Sequence, residues 1–216
     1  MCSKIVIAIC LLAATAGAWH PNLVAWYRME GNALDSSGQG LHGTLVNAPT
    51  VVPGRIGRGY EFDAALSQRV DVPLSLGANF TVAVWVRIDA LVNSYFLNQT
   101  DGVSGGRMLI GEDGVDAWFF AGAFVGAKIS PTLGRWYHMA LTYDGTAYTS
   151  YLDGRFLGTH LNANAPPSVP VEIGGTSRIA SRDSNGIIDE VMIFNAALSP
   201  SDIKRVMLGL MPLGRY

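Results

Sequence analysis

Between Asn79 and Asp89 every second residue is a large apolar one. Phe80, Val82, Val84, Val86 and Ile88 fall on one face and Thr81, Ala83, Trp85, Arg87 and Asp89 on the other. A period of two marks a β-strand, here with one wholly apolar face. Trp136 to Tyr143 divides in the same way, into Trp136, His138, Ala140, Thr142 and Tyr137, Met139, Leu141, Tyr143, and stops at the turn dipeptide Asp144-Gly145. Ala147 to Leu152 runs into Asp153-Gly154 and then Arg155 to His160, which predicts two adjoining hairpins. Further strands are expected at Leu23 to Met29, Gly59 to Phe62, Arg69 to Val72, Tyr95 to Leu97, Arg107 to Ile110, Ala117 to Ala121, Val171 to Ile173 and Ile187 to Phe194. About a dozen short strands of this kind bury their apolar faces by packing as two antiparallel sheets. One segment has helical spacing instead. Ser199 is placed as N-cap, Pro200 at the first helical position and Asp202 in the first turn, with Ile203, Val206 and Met207 on one stripe.

Composition agrees with this all-β reading and narrows the partners. The chain of 216 residues is 49% hydrophobic and 15% charged, too apolar for a disordered segment. Its 25 glycines, 10 prolines, 5 Trp, 8 Tyr and 8 Phe suit strands and tight turns. A net charge of −2 lacks the basic footprint of a phosphate-backbone binder, so nucleic acid is not an expected partner. At the amino end, Lys4, the apolar run Ile5 to Ala14 and the small residues Ala16-Gly17-Ala18 form a secretory leader pattern. Residues 1–18 are therefore expected to be a cleaved signal peptide, placing the mature chain outside the cell or on its surface. Both cysteines, Cys2 and Cys10, lie in that leader, so the mature chain relies on core burial rather than disulfides. No later apolar run reaches spanning length, and no linker or charge block divides the rest. A single domain over 19–216 without a transmembrane segment follows.

Several segments together resemble the concanavalin A-like, laminin G-like jelly-roll family in its bacterial secreted form. They are Leu23-Val24-Ala25-Trp26-Tyr27, Asp35-Ser36-Ser37-Gly38, His42-Gly43-Thr44-Leu45, Gly59-Tyr60-Glu61-Phe62-Asp63, Phe80 to Val86, Trp136 to Asp144, Tyr151-Leu152-Asp153-Gly154, Ile173-Gly174-Gly175 and Ile188 to Ser199, in the family order. The resemblance implies a two-sheet antiparallel jelly-roll sandwich with a short C-terminal helix. It leaves function open, because the fold carries lectins, adhesion modules, accessory domains and some glycosidases and lyases.

The loop Glu30 to Gly38 offers carboxylate, amide and carbonyl oxygens, the hard donors that Ca²⁺ takes in sets of six to eight. In the family a Ca²⁺ often sits between this loop and the aspartate of the Ile-Asp-Glu-Val strand. By position, the resemblance implies Asp35 and Asp189 as side-chain ligands of a structural Ca²⁺, with Asn32 or Glu30 as further ligands. The other reading of the same residues is an Asx-turn at Asp35 and backbone hydrogen bonds at Asp189.

Sugars stack their apolar faces on Trp or Tyr while nearby polar groups bond their hydroxyls. Trp118 and Tyr95, with Asn98 and Arg107, form the candidate ligand-binding set, and Phe120, Phe124, Asn93 and Asp116 lie close in sequence. Trp26, Trp85 and Trp136 are expected in the core, as is a hydrogen-bonded His138. The four histidines show no zinc spacing. No acid pair suits a glycosidase: Glu61-Phe62-Asp63 does not continue as an acidic strand, and the neighbours in Glu112-Asp113 and Asp189-Glu190 should face opposite ways along a strand. No enzyme is expected.

Sequons occur at Asn79 and Asn98, the latter expected in a loop and the better acceptor in a eukaryotic source. The apolar stretch Met207 to Tyr216 and the start Trp19-His20-Pro21 either pack on their own domain or mediate self-association. Two functions follow. One is a secreted, non-catalytic binding module for a glycan or another extracellular ligand, such as a protein; the other is a structural protein that self-assembles into a homo-oligomer, surface layer or filament.

Overall fold

Each alternating segment folds as a strand, and the strands share out between two antiparallel sheets. The computed structural model describes residues 20–103 and 107–210; the expected leader and the chain end from Met211 lie outside the described residues. In chain order the first strands are β1 (Leu23–Tyr27), β2 (Thr44–Val46), β3 (Thr50–Pro53), β4 (Arg58–Phe62), β5 (Arg69–Asp71), β6 (Phe80–Ile88) and β7 (Tyr95–Gln99). The rest are β8 (Met108–Glu112), β9 (Ala117–Ala121), β10 (Trp136–Tyr143), β11 (Ala147–Leu152), β12 (Arg155–Leu161), β13 (Glu172–Ile173) and β14 (Gly186–Phe194), then helix α1 (Pro200–Met207). β2 and β3 are absent from the alternation because they are short and largely exposed, with no buried face to imprint a period.

The larger sheet has the order β12-β11-β10-β6-β14-β4-β3, with β1 also paired to β14; the smaller has the order β2-β5-β13-β7-β8-β9. The jelly-roll sandwich is therefore as the resemblance implied. Asp153-Gly154 joins β11 to β12 as a two-residue turn with both residues at positive φ, 49° and 70°, the geometry that twists in the same sense as the flanking strands.

Between the sheets lies one core, including Tyr27, Tyr60, Phe62, Phe80, Val84, Phe96, Ile110, Phe119, Leu141, Tyr148, Ile188 and Ile193. The apolar face of β6 points into it, as alternation requires. The opposite face is also largely covered. Ala83 and Ala140, paired across β6 and β10, leave room above the sheet, and α1 lays Ile203 and Val206 there with Leu23, Met192, Phe194 and Leu198. Ser199 caps α1, its Oγ accepting the Asp202 N–H at 3.2 Å.

Two expectations about the core need correction. Trp85 is buried but on the outer face of the larger sheet, and Trp26 and Trp136 are only half-buried. Alternation separates the two faces of a strand and is silent on what covers the outer one. His138 is buried as expected, yet its ring Nδ1 has no hydrogen-bond partner; its backbone N–H donates to Asp153 Oδ1. Among the described residues no helix is long and apolar enough to cross a membrane.

Candidate functional site

The outer face of the smaller sheet carries an aromatic hollow. Register pairs Tyr95 on β7 with Gly111 on β8, and Gly111 with Trp118 on β9. With no side chain at Gly111, the two rings meet across it edge to face, centroids 6.0 Å apart. A Cβ at Gly111 would lie 2.3 Å from the Ser94 carbonyl oxygen, so the close approach depends on glycine. Phe120 and Phe124 extend the cluster, at 6.2 and 5.9 Å from Trp118 and 5.6 Å from each other, all edge to face. Leu109 completes the floor.

Cations rim the hollow. Arg107 stands over Phe120 at 5.4 Å, Lys128 over Phe124 at 4.5 Å and Arg182 over Tyr95 at 6.0 Å, each a cation–π arrangement. Lys128 also pairs with Asp113 and holds its carboxyl below the usual carboxylate range. Trp118 is 6% exposed and Phe124 46% exposed. The Trp118 Nε1 and Arg107 Nε atoms are buried and have no hydrogen-bond partner, so two donors lie unused among these edge-to-face rings.

Tyr95, Trp118 and Arg107 thus come together as the sequence suggested, and Asn98 does not join them. It lies on strand β7, fully buried, with Nδ2 donating to the carbonyls of Glu172 and Gly175. This also corrects its placement as a loop sequon; the exposed sequon is Asn79. Lys128 and Leu109 were not singled out, since a lone lysine or leucine carries no signal until the register places it.

The four residues expected around calcium lie apart in their bonding. Asp35 Oδ1 accepts the N–H groups of Trp26 and Ser37, and Oδ2 accepts the Ser37 hydroxyl and the Leu41 N–H. These bonds more than offset partial burial and lower its carboxyl. Asn32 Oδ1 accepts the Leu34 N–H, and Glu30 accepts the Arg58 N–H. Asp189 accepts the Ile56 and Glu190 N–H groups, one on each oxygen. Every carboxylate oxygen of Asp35 and Asp189 therefore faces a hydrogen, and no group of three or more His, Cys, Asp or Glu at metal-binding spacing occurs among the described residues. These hydrogen bonds are the Asx-turn at Asp35 and the backbone bonding at Asp189 that the same residues also allowed.

Asp189 and Glu190 depart from strict alternation. Ile188 and Val191 both point into the core, and between them a bulge holds Glu190 at φ 50°. The bulge lies where the neighbour of β14 changes from β4 to β1. Both acids consequently lie outside the core, where opposite faces were expected, because an inserted residue re-aims the side chains that follow. Burial pushes Asp189 up to about 6 and Glu190 up to about 7, with the charge of Asp189 adding to the second.

The described residues thus form a jelly-roll sandwich with an aromatic hollow on the outer face of its smaller sheet. A family profile described as the Concanavalin A-like lectin/glucanases superfamily, of laminin G type, matches residues 62–204. The chain belongs to that laminin G-like family. A search of curated protein sequences found no match.

Similar solved structures share the fold at low identity. Domain 4 of AbnA, a GH43 extracellular arabinanase from Geobacillus stearothermophilus, in complex with arabinotriose, is 18% identical with a TM-score of 0.71, over 86% of this chain and 98% of that one. The binding domain of Paraclostridial Mosquitocidal Protein 1 is 17% identical with a TM-score of 0.66, over 86% of this chain and 52% of that domain. Trypanosoma rangeli sialidase is 20% identical with a TM-score of 0.67, over 89% of this chain and 33% of the sialidase. This chain thus spans about half of the toxin domain and a third of the sialidase.

Proposed function

We propose that this chain is a secreted, non-catalytic module that binds carbohydrate in the aromatic hollow of the smaller sheet. The observation that carries this reading is the surface hollow lined by Trp118, Phe120 and the exposed Phe124 and rimmed by Arg107 and Lys128. Aromatic faces take the apolar side of a sugar ring while N–H donors take its oxygens. The likeness to an arabinanase domain described in complex with arabinotriose supports the same ligand class. Among the described residues lining the hollow Asp113 is the one carboxylate, and it is tied to Lys128, which favours binding over glycoside hydrolysis.

A second reading, self-assembly, is favoured by β12. It is the terminal strand of the larger sheet in the described residues and carries exposed Phe156 and Leu161, features that invite edge pairing.

Glycan-array and calorimetric titration of the chain, arabino-oligosaccharides included, tests both. Saturable binding that weakens at least tenfold in Phe124→Ala and is unchanged in Phe156→Ala is the expected result. Phe124 is a rim residue whose truncation leaves the core intact. Absence of glycan binding, together with a large assembled mass by light scattering that Phe156→Ala reduces to monomer, would replace the first reading with the second.

A further inference from the structure

On the opposite side of the molecule, the outer face of the larger sheet has a groove alongside α1. Its walls include Trp26 from β1, Trp85 from β6, His138 from β10, Glu190 and Met192 from β14, and Val206 from α1. We infer that this groove is a second binding site, for a small uncharged molecule with an apolar ring and a hydroxyl group.

Three observations lead there. The first is size and lining: the groove encloses about 170 Å³ between mostly apolar side chains, and a cavity of roughly 150 Å³ lined by such residues accommodates a benzene ring.

The second is polar demand. Glu190 and His138, 5% and 1% exposed, both line the groove, and Glu190 Oε1 and His138 Nδ1 have no hydrogen-bond partner. Buried polar atoms are paired in the great majority of cases, and each exception calls for an explanation. A ligand hydroxyl, one donor and an acceptor together, suits either atom.

The third is charge. Arg28 stands over the Trp26 ring at 5.2 Å with its Nε 3.9 Å from Glu190 Oε1, an ion-pair distance too long for a hydrogen bond, and Arg55 stands over the Trp85 ring at 4.5 Å. Two guanidinium groups oppose a cationic guest, and the mostly apolar lining makes any charged guest costly to desolvate. A neutral guest meets neither.

The protein also holds the acid firmly for this task. Glu190 Oε2 accepts the Trp26 indole N–H, and the bulge fixes its backbone in the left-handed region. A residue kept in that conformation by its surroundings is a recurrent feature of ligand sites.

The test uses p-cresol as probe and toluene, which has the same ring without the hydroxyl, as control. Both are titrated into the ¹⁵N-labelled chain while the tryptophan indole N–H resonances are followed. Saturable shifts of the Trp26 and Trp85 signals are expected, with p-cresol binding at least tenfold tighter than toluene. Filling the groove by Val206→Trp, or at its more exposed rim by Ile56→Trp, should abolish the shifts. Two fillers keep the test open if one fails to fold. Equal affinity for the two probes, no saturable shift, or binding retained in a folded filler variant would overturn the inference. None of these outcomes bears on the hollow, whose occupancy is read from Trp118 and Phe124→Ala.

Discussion

His138 offers a quantitative test of how the larger sheet is packed. Its ring is buried on the outer face, edge-on to Trp85 at 5.2 Å, with Nδ1 unpartnered. No carboxylate bonds the ring, so burial alone pushes the imidazole down from 6.5 to about 3. The folded state thus resists a proton that the unfolded chain accepts readily. The stability contributed by neutral His138 is complete above about pH 6.5 and is lost as pH falls from there towards 3.

Each pH unit inside that window costs about 1.4 kcal/mol, so moving from pH 7.5 to pH 5 should remove about 2 kcal/mol through this one group. His138→Phe keeps a ring against Trp85 and cannot titrate. Urea unfolding of both chains, followed by far-UV circular dichroism at pH 7.5, 6 and 5, isolates the effect, because other titrations cancel in the difference. The variant should gain about 2 kcal/mol on the wild type between the highest and lowest pH. Parallel stability curves would mean that water reaches the imidazole, and would refute the packing described around it.

Glu190 should behave in the opposite sense. Its folded value, about 7, lies above its ordinary 4.5, so its contribution is fully present below about pH 4.5 and is lost as pH rises to about 7. Glu190→Gln should therefore gain about 2 to 3 kcal/mol on the wild type between pH 4.5 and 7.5, measured by the same unfolding series. Calcium should leave the fold indifferent, since the oxygens of Asp35 and Asp189 already accept N–H or O–H groups. Melting temperatures in calcium and in EDTA should agree within about 1 °C, and a rise of several degrees with calcium would show a cation in that region.

The sandwich was legible because β6, β10 and β14 bury long apolar faces and turns such as Asp153-Gly154 announce themselves. The hollow was half legible. Tyr95, Trp118 and Arg107 stand out by type, but the glycine that lets two of them meet becomes meaningful only once Tyr95, Gly111 and Trp118 are seen in one register row. Asn98 misled because polarity suggested a loop, while the carbonyls of Glu172 and Gly175, distant in sequence, give its amide a buried home. The groove was not legible at all. It requires α1 to fold back over Ala83 and Ala140 and a bulge that turns Glu190 out of step; the stripe of the helix is periodic, but neither its docking place nor the bulge is.

The position of β14 bears on how the molecule comes into being. This strand is central to the larger sheet, pairing with β6 on one side and with β4 and β1 on the other, yet it follows every other strand among the described residues. During synthesis β1, β4 and β6 must wait, with unsatisfied edges, for the segment that joins them. Pairing over such sequence distances is slow to form and leaves a sticky intermediate. A chain stopped before Gly186 would therefore lack the middle of its sheet, and the fold should assemble late and nearly all at once.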